Sequence, residues 1–132
     1  EAQRITRHSI VVNQVYYNVR SRGVETTGLL DYCQQHDVLL EAFRPTDKAL
    51  LLRDVPLMIE ELARKYHKTP VQIVINWLVS QSSVTTLVKT SNPTHLTENL
   101  GAIGWTMAEQ DVERIRKEYP NQASLGQEFP LR

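Results

Sequence analysis

The segment that leads into the helix predicted from residue 93 combines residue types that bind anions. Lys89, Thr90 and Ser91 supply a cation and two hydroxyls between a strand-like run and a helix that Asn92 would cap. Free backbone N–H groups and the helix dipole favour anions at a helix start, and ligands bind where the strands of parallel sheets and barrels end. The pattern therefore favours an anion site, although on local pattern alone a capped helix with a solvated loop explains it at least as well.

Other residues whose side chains could take part in chemistry are explained at least as well by structural roles. Cys33 is the only cysteine, and its position on the apolar side of a predicted helix favours a small core residue over a reactive thiol. Glu41 interrupts an apolar strand, where a paired glutamate is favoured over a catalytic acid. No glycine-rich dinucleotide fingerprint or P-loop is present. The histidines lack the mutual spacing of a metal site, so no metal is expected: they are His8, His36, His67 and His95.

Composition narrows the class of protein. The chain has 132 residues, enough for one domain (residues 1–132), and 41% of them are apolar. Its formal net charge is zero, so the broad positive field that attracts nucleic acid or anionic lipid is not expected. No apolar run approaches the roughly 20 residues that span a bilayer. We therefore expect a cytoplasmic protein with neither a nucleic-acid nor a membrane partner. Glu1 is no natural start, so a fragment or trimmed sequence is expected.

The hydrophobic pattern alternates between short β-branched runs and helical stretches, which is typical of parallel βαβ units. Strands are predicted at residues 10–17, 38–43 and 84–88. Helices are predicted at residues 26–36, 56–67, 70–81, 93–103 and 107–118, and residues 120–132 are predicted to form a loosely docked tail. Three parallel strands would leave two unpaired edges, which indicates that part of the fold is missing.

Two capping boxes and two apolar stripes are predicted in the helices. Thr69 with Gln72, and Thr106 with Glu109, have the spacing of capping boxes. The apolar stripes should point inward. They consist of Leu96, Leu100 and Ile103 in one helix, and of Ala108, Val112, Ile115 and Tyr119 in the other.

The run from Lys89 to Asn99 resembles the NADP-binding segment of aldo-keto reductases. Other segments of the chain also match motifs of this family and occur in the family's order. They are residues 12–15, 29–33, 40–43, 63–72, 77–78, 99–102 and 107–111. The resemblance covers residues 10 to 119 and implies the sixth to eighth strands of a (β/α)8 (TIM) barrel, with residues 1–6 ending the preceding helix. It also implies reduction of aldehydes or ketones with NADPH. The family's catalytic Asp, Tyr, Lys and His lie in the first half, so no residue here inherits a catalytic role.

The resemblance implies cofactor contacts residue by residue. Gln14 matches the glutamine that hydrogen-bonds the nicotinamide carboxamide, and Phe43 stands where an aromatic residue stacks on the nicotinamide ring. The remaining matches are Lys89, Thr90 and Ser91 around the 2′-phosphate and diphosphate, and Glu98 and Asn99 at the adenine.

Two departures from the family pattern affect the expected cofactor. His95 replaces an arginine that commonly meets the 2′-phosphate or adenine, and neutral histidine lacks its permanent charge. NADP is therefore expected, with NAD possible. Arg44 and Thr46 replace a serine and a leucine beside the diphosphate, and Arg44 would either contact the diphosphate or fill space.

The expected function is the NADP-binding second half of a carbonyl reductase acting on a small-molecule carbonyl substrate. The expected partner is the missing N-terminal half or a second copy of the chain, because one sheet face would otherwise be open to water. That face is predicted to include Val11, Val15, Leu39 and Leu87. The alternatives are a noncatalytic half-barrel that binds a nucleotide or a protein, and a truncated product without a ligand.

Overall fold

A computed structural model describes residues 2–47 and 53–122. Three strands alternate with helices along the chain, as the hydrophobic pattern predicts. The strands are β1 (Val12–Tyr16), β2 (Leu39–Phe43) and β3 (Val84–Leu87). The helices are α1 (Ala2–Ile5), α2 (Gly23–Thr26), α3 (Leu29–Gln35), α4 (Leu57–Tyr66), α5 (Pro70–Val79), α6 (Pro93–Leu100) and α7 (Glu109–Glu118). The predicted tail lies mostly outside the described residues.

The strands form one parallel sheet in the order β1-β2-β3, which confirms the predicted topology. Gln14 is paired with Glu41, and Tyr16 with Phe43. Phe43 is in turn paired with Leu87 of β3. Because all three strands run in the same direction, their last residues lie at the same end of the sheet. These residues are Tyr16, Phe43 and Leu87.

The two faces of the sheet differ in what covers them. Leu40 and Ala42 are fully buried on the side that packs against helices, which we call the helix face. Their neighbours Leu39 and Leu87 are 38% and 48% exposed on the opposite side, which we call the open face. Side chains alternate along a strand, so the open face presents some apolar side chains, among them Leu39 and Leu87, to solvent.

One member of the predicted open face is placed wrongly. Val15 is paired with buried Ala42 and packs against the core, so it lies on the helix face. Val12, two residues before Gln14, takes its place on the open face and is exposed. Val11 is exposed as predicted, but it precedes β1.

The helix predicted over residues 26–36 corresponds to α3, which is three residues shorter at its start, and α2 precedes it as a separate short helix. Gly28 is the N-cap of α3 and has a φ of 73°, in the left-handed region that glycine adopts without steric cost, so it separates the two helices. Cys33 lies in the buried core as predicted, and burial raises the pKa of its thiol. Both observations support the structural role assigned to this residue.

The two predicted capping boxes have different outcomes. At α5, Gln72 N donates to Thr69 Oγ1 at 3.3 Å and Thr69 N donates to Gln72 Oε1 at 3.0 Å, which confirms the first box. At α7 the N-cap is Ala108, without a side-chain cap, so the box predicted from Thr106 is wrong. The physical reason is a tertiary contact, because the Ala108 N–H donates to the hydroxyl of Tyr66 at 2.9 Å.

The apolar stripes of the last two helices are only partly buried. Leu96, Leu100 and Ile103 are exposed, Leu100 to 58%, so their predicted inward orientation is wrong. They line a groove with Ile75 and Val79 of α5 beside β3, the last strand of the sheet. In α7, Ile115 is fully buried, whereas Ala108 is exposed.

A polar cluster fastens α7 to α4. The carboxylate of Asp111 is buried, and its Oδ2 atom accepts a hydrogen bond from Lys65 Nζ at 2.7 Å and another from the Tyr66 hydroxyl. Burial alone would raise the pKa of Asp111, but the hydrogen bonds from Lys65 and Tyr66 outweigh it and hold that pKa below its usual value. The carboxylate therefore stays charged at neutral pH and holds the two helices together.

Candidate cofactor site

Both residues that are predicted to contact the nicotinamide lie on the open face. Gln14 and Phe43 share that face, because their register partners Glu41 and Tyr16 alternate with residues of the helix face. Gln14 is central in β1, and Phe43 is the last residue of β2. The Nε2 atom of Gln14 donates to Glu41 Oε1 at 2.8 Å. Glu41 is thus a paired glutamate, as predicted.

Phe43 is held in an aromatic pair. Its ring is half-buried, and its centroid lies 5.6 Å from that of Tyr16 at an interplanar angle of 40°. The guanidinium carbon of Arg44 is 6.0 Å from the Phe43 centroid. An aromatic surface and a cation therefore adjoin at the edge where β1 and β2 end.

The turn of residues 44–47, which follows β2, is anchored to the loop after β1. Asn18 is fully buried, and its Nδ2 atom donates to the backbone oxygen of Arg44 at 3.2 Å. The hydroxyl of Tyr16 donates to Asp47 Oδ1 at 2.6 Å, and Arg20 Nη1 lies 3.5 Å from Asp47 Oδ2. These contacts position the turn that carries Arg44.

These anchoring residues carry no signal in the sequence that predicts their role. Tyr16 and Asp47 are 31 positions apart, and no local motif joins them. A buried aspartate beside a left-handed turn has no signature in hydrophobic periodicity. Only the parallel pairing of β1 with β2 brings the two loops together.

The predicted anion segment follows β3 at the same edge of the sheet. The side chain of Asn92 caps α6 by accepting from Thr94 N at 2.9 Å, as predicted. Thr90 Oγ1 accepts from Asn92 N at 3.1 Å, so this hydroxyl also stabilises the helix start. Lys89, Ser91 and the α6 residue His95 are exposed. A cation and a hydroxyl thus remain accessible beside a capped helix terminus.

The predicted adenine contacts lie farther along α6. Glu98 and Asn99 are both half-buried, and the backbone oxygen of Glu98 accepts from Gln72 Nε2 at 2.9 Å. Asn99 lines an apolar groove between α6, α5 and β3, rather than the open face that carries Gln14. The candidate site therefore runs from the open face around the end of β3 to the outer helix.

The tyrosines of β1 and its loop are committed to structural contacts. Tyr17 is fully buried, and its hydroxyl donates to Glu25 Oε1 at 2.6 Å. Burial, and then the hydrogen bond to Glu25, raises the pKa of Tyr17. Burial and the bond to Asp47 likewise raise the pKa of Tyr16. Both hydroxyls donate to carboxylates.

The described part of the chain holds neither a metal-ligand cluster nor a membrane-spanning helix. Within residues 2–47 and 53–122, no three His, Cys, Asp or Glu side chains are grouped so that they could hold a metal ion. The helices there are all too short or too polar to cross a bilayer.

A parallel sheet with helices on one face and a site where the strands end is the architecture of part of a (β/α)8 barrel. The model of the aldo/keto reductase family matches residues 1–119. The chain belongs to this family. This finding confirms the resemblance carried by the Lys89–Asn99 run and its companion motifs.

Individual relatives show how much of a family member's length the chain covers. The chain is 28% identical over 111 residues to methylglyoxal reductase YeaE of Escherichia coli, which covers 82% of the chain and 39% of that protein. It matches a thermostable aldo-keto reductase, Tm1743, in complex with epalrestat, with a TM-score of 0.83 and 32% identity over 87% of the chain and 42% of that structure. The aldo-keto reductase of Klebsiella pneumoniae in complex with NADPH gives a TM-score of 0.76 and 28% identity, covering 84% and 40%.

The chain thus spans about two-fifths of the length of these relatives. The three-stranded sheet corresponds to part of their barrel, which confirms the predicted fold class. The open face of the sheet is the side that a closed barrel would turn toward its interior.

Proposed function

We propose that this chain forms the NADP-binding part of a reductase that converts small aldehydes or ketones to alcohols. The observation that carries the proposal is the shared placement of Gln14 and Phe43 on the open face, next to the edge where Lys89 leads into α6. Support comes from family membership and from the Klebsiella pneumoniae relative in complex with NADPH.

The residues present fit a phosphorylated dinucleotide. Phe43 offers a half-buried aromatic face to a flat ring, and stacking of this kind contributes roughly 0.5–1.5 kcal/mol beyond area burial. Lys89 and the capped start of α6 offer positive potential to a phosphate. The Arg44 guanidinium lies 6.0 Å from the centroid of the Phe43 ring, close to where a diphosphate joined to the nicotinamide half of the cofactor would begin.

Gln14 is oriented for one particular contact. Its amide nitrogen is engaged by Glu41, which leaves the amide oxygen to accept from a donor. A nicotinamide carboxamide presents an NH2 group, so Gln14 would fix the rotation of the ring that Phe43 supports. When bound, NADPH supplies the hydride, and the chain's own residues orient the ring and hold the phosphates.

The proton donor is proposed to come from outside this chain. The family's catalytic Asp, Tyr, Lys and His have no counterparts at matching positions, and Tyr17 is buried against Glu25. We therefore propose that the chain is inactive alone and that an N-terminal half, or a second copy of the chain, completes the open face. A cytoplasmic location remains a prediction.

Preference for NADP over NAD is proposed to depend on Lys89. His95 is exposed on α6 and lacks the planar guanidinium fork of an arginine, whereas Lys89 offers an ammonium group to a phosphate. Ser91, Glu98 and Asn99 would add neutral or adenine-directed contacts that both cofactors share. NAD is thus expected to bind, more weakly than NADP.

The proposal is tested by titrating the chain with NADPH and following the cofactor's own fluorescence. Phe43→Ala should weaken binding, whereas Glu118→Gln, on an exposed pair in α7, should leave it unchanged. Absence of NADPH binding by the unaltered chain would contradict the proposal. It would favour the noncatalytic half-barrel as the function of this chain.

A further inference from the structure

We propose that Asp47 is a positioning residue for the dinucleotide, and that Tyr16 and Arg20 hold it in place. Together the three fix the turn of residues 44–47 so that Arg44 faces the diphosphate. The inference rests on the proposed function and extends it to residues that no resemblance assigned.

The side chains that hold the turn come from the end of β1 and the loop that follows it. Tyr16 and Asp47 are 9% and 8% exposed, and their side chains meet at 2.6 Å. Arg20 reaches the second carboxylate oxygen at 3.5 Å. Within the turn, the Asp47 N–H donates to the backbone oxygen of Arg44 at 3.0 Å, so Asp47 joins the β1 loop directly to Arg44.

The backbone of the turn requires such support. Arg44 has a φ of 56° and Asp47 a φ of 48°. Residues other than glycine rarely adopt this left-handed region, and they persist there when surrounding contacts hold them. Asn18 holds the oxygen of Arg44, and the Tyr16–Asp47 bond holds the other end. Loss of either end would let Arg44 relax toward an ordinary conformation.

The charge of Asp47 supplies a second reason for this arrangement. An unpaired carboxylate beside a diphosphate would repel it, and the Tyr16 hydroxyl and the Arg20 guanidinium offset that charge. Burial raises the pKa of Tyr16, with a further contribution from Asp47, so the hydroxyl remains a donor at neutral pH. The cluster can therefore lie next to an anion without opposing it.

The test separates the diphosphate from the adenosine end of the cofactor. Tyr16→Phe removes only the hydroxyl and keeps the ring that packs on Phe43. We expect it to weaken NADPH binding about tenfold, the effect of losing one charge-assisted hydrogen bond. Binding of adenosine 2′,5′-bisphosphate, which lacks the nicotinamide half and the diphosphate link, should change less than twofold. Asp47→Ala should behave alike, and the double variant should be no worse than either single variant.

A matched control removes stability without touching this turn. Asp111→Asn breaks the α4–α7 cluster and should leave both ligands bound as in the unaltered chain. Unchanged NADPH binding in Tyr16→Phe, equal weakening of both ligands, or additive effects in the double variant would overturn the inference. Should Tyr16→Phe not fold, Arg20→Gln replaces it and is judged by the same ratio of affinities. If the unaltered chain binds neither ligand, the proposed function fails, and the inference with it.

Discussion

The buried carboxylate of Asp111 provides a sharp test of how the outer helices are held. Replacing it with alanine removes the hydrogen bond from the Tyr66 hydroxyl and the pair with Lys65. A hydrogen bond to a charged group contributes roughly 1.5–3 kcal/mol. Lys65 is about half exposed, so solvent screens its pair with Asp111 and the pair adds little. Asp111→Ala should therefore lower the free energy of unfolding by about 1.5–3 kcal/mol.

That loss is large enough to measure by thermal unfolding. For a domain of this size about 3–4 °C of melting temperature corresponds to each kcal/mol, so a decrease of roughly 10 °C is expected at pH 7. Differential scanning fluorimetry at one fixed protein concentration is the assay, because association shifts the apparent melting temperature. Tyr66→Phe should fall between Asp111→Ala and the unaltered chain.

The pH dependence follows from the lowered pKa of Asp111. A carboxyl with a lower pKa in the folded state stabilises the fold above its unfolded pKa, near 4, and loses that contribution as pH falls through the folded value. The difference between the unaltered chain and Asp111→Ala should therefore be full at pH 7 and shrink below about pH 4.

The exposed pair between Arg114 and Glu118 is the matched control. Both side chains are exposed and solvent screens the pair, so Glu118→Gln should leave the melting temperature close to that of the unaltered chain. A melting temperature of Asp111→Ala as close to that of the unaltered chain as the control's would refute the energetic role given to Asp111.

Three further outcomes are expected. Lys89→Ala should weaken NADPH about tenfold and NADH much less, because the lost contact is to the 2′-phosphate; equal losses in a fluorescence titration would refute that role. Gly101→Ala should destabilise the fold by about 1 kcal/mol, because its Cβ would crowd Gln72 Nε2; in a Gln72→Ala background the same change should lower the melting temperature less, since only the close approach to the Glu98 backbone oxygen remains. The purified 132-residue chain should form oligomers in light scattering, since Leu39 and Leu87 are exposed. It should also oxidise no NADPH when aldehydes are added. A stable, active monomer would contradict both the open face and the proposed division of roles.

Local patterns in the sequence were sufficient for the elements that depend on neighbours along the chain. The β-branched runs marked all three strands to within two residues at either end, because β-branched side chains fit the pleated surface of a strand. Thr69 and Gln72 predicted their capping box, since both partners lie within one turn of helix. Asn92 predicted the cap of α6 for the same reason. The ordered motifs also identified the family, because many short spacings agreed at once.

Contacts between distant segments were decided only by the tertiary structure. Val12 and Val15 have the same apolar character, and only strand pairing determines which of them turns away from the helices. The start of α7 depends on the Tyr66 hydroxyl, 42 positions before Ala108, rather than on the side chain of Thr106. The Tyr16–Asp47 bond likewise exists because parallel strands bring two loops to one edge. The hydrophobic periodicity of a segment indicates which of its side chains are buried. It does not indicate which distant segment they contact, because that depends on how the elements pack together.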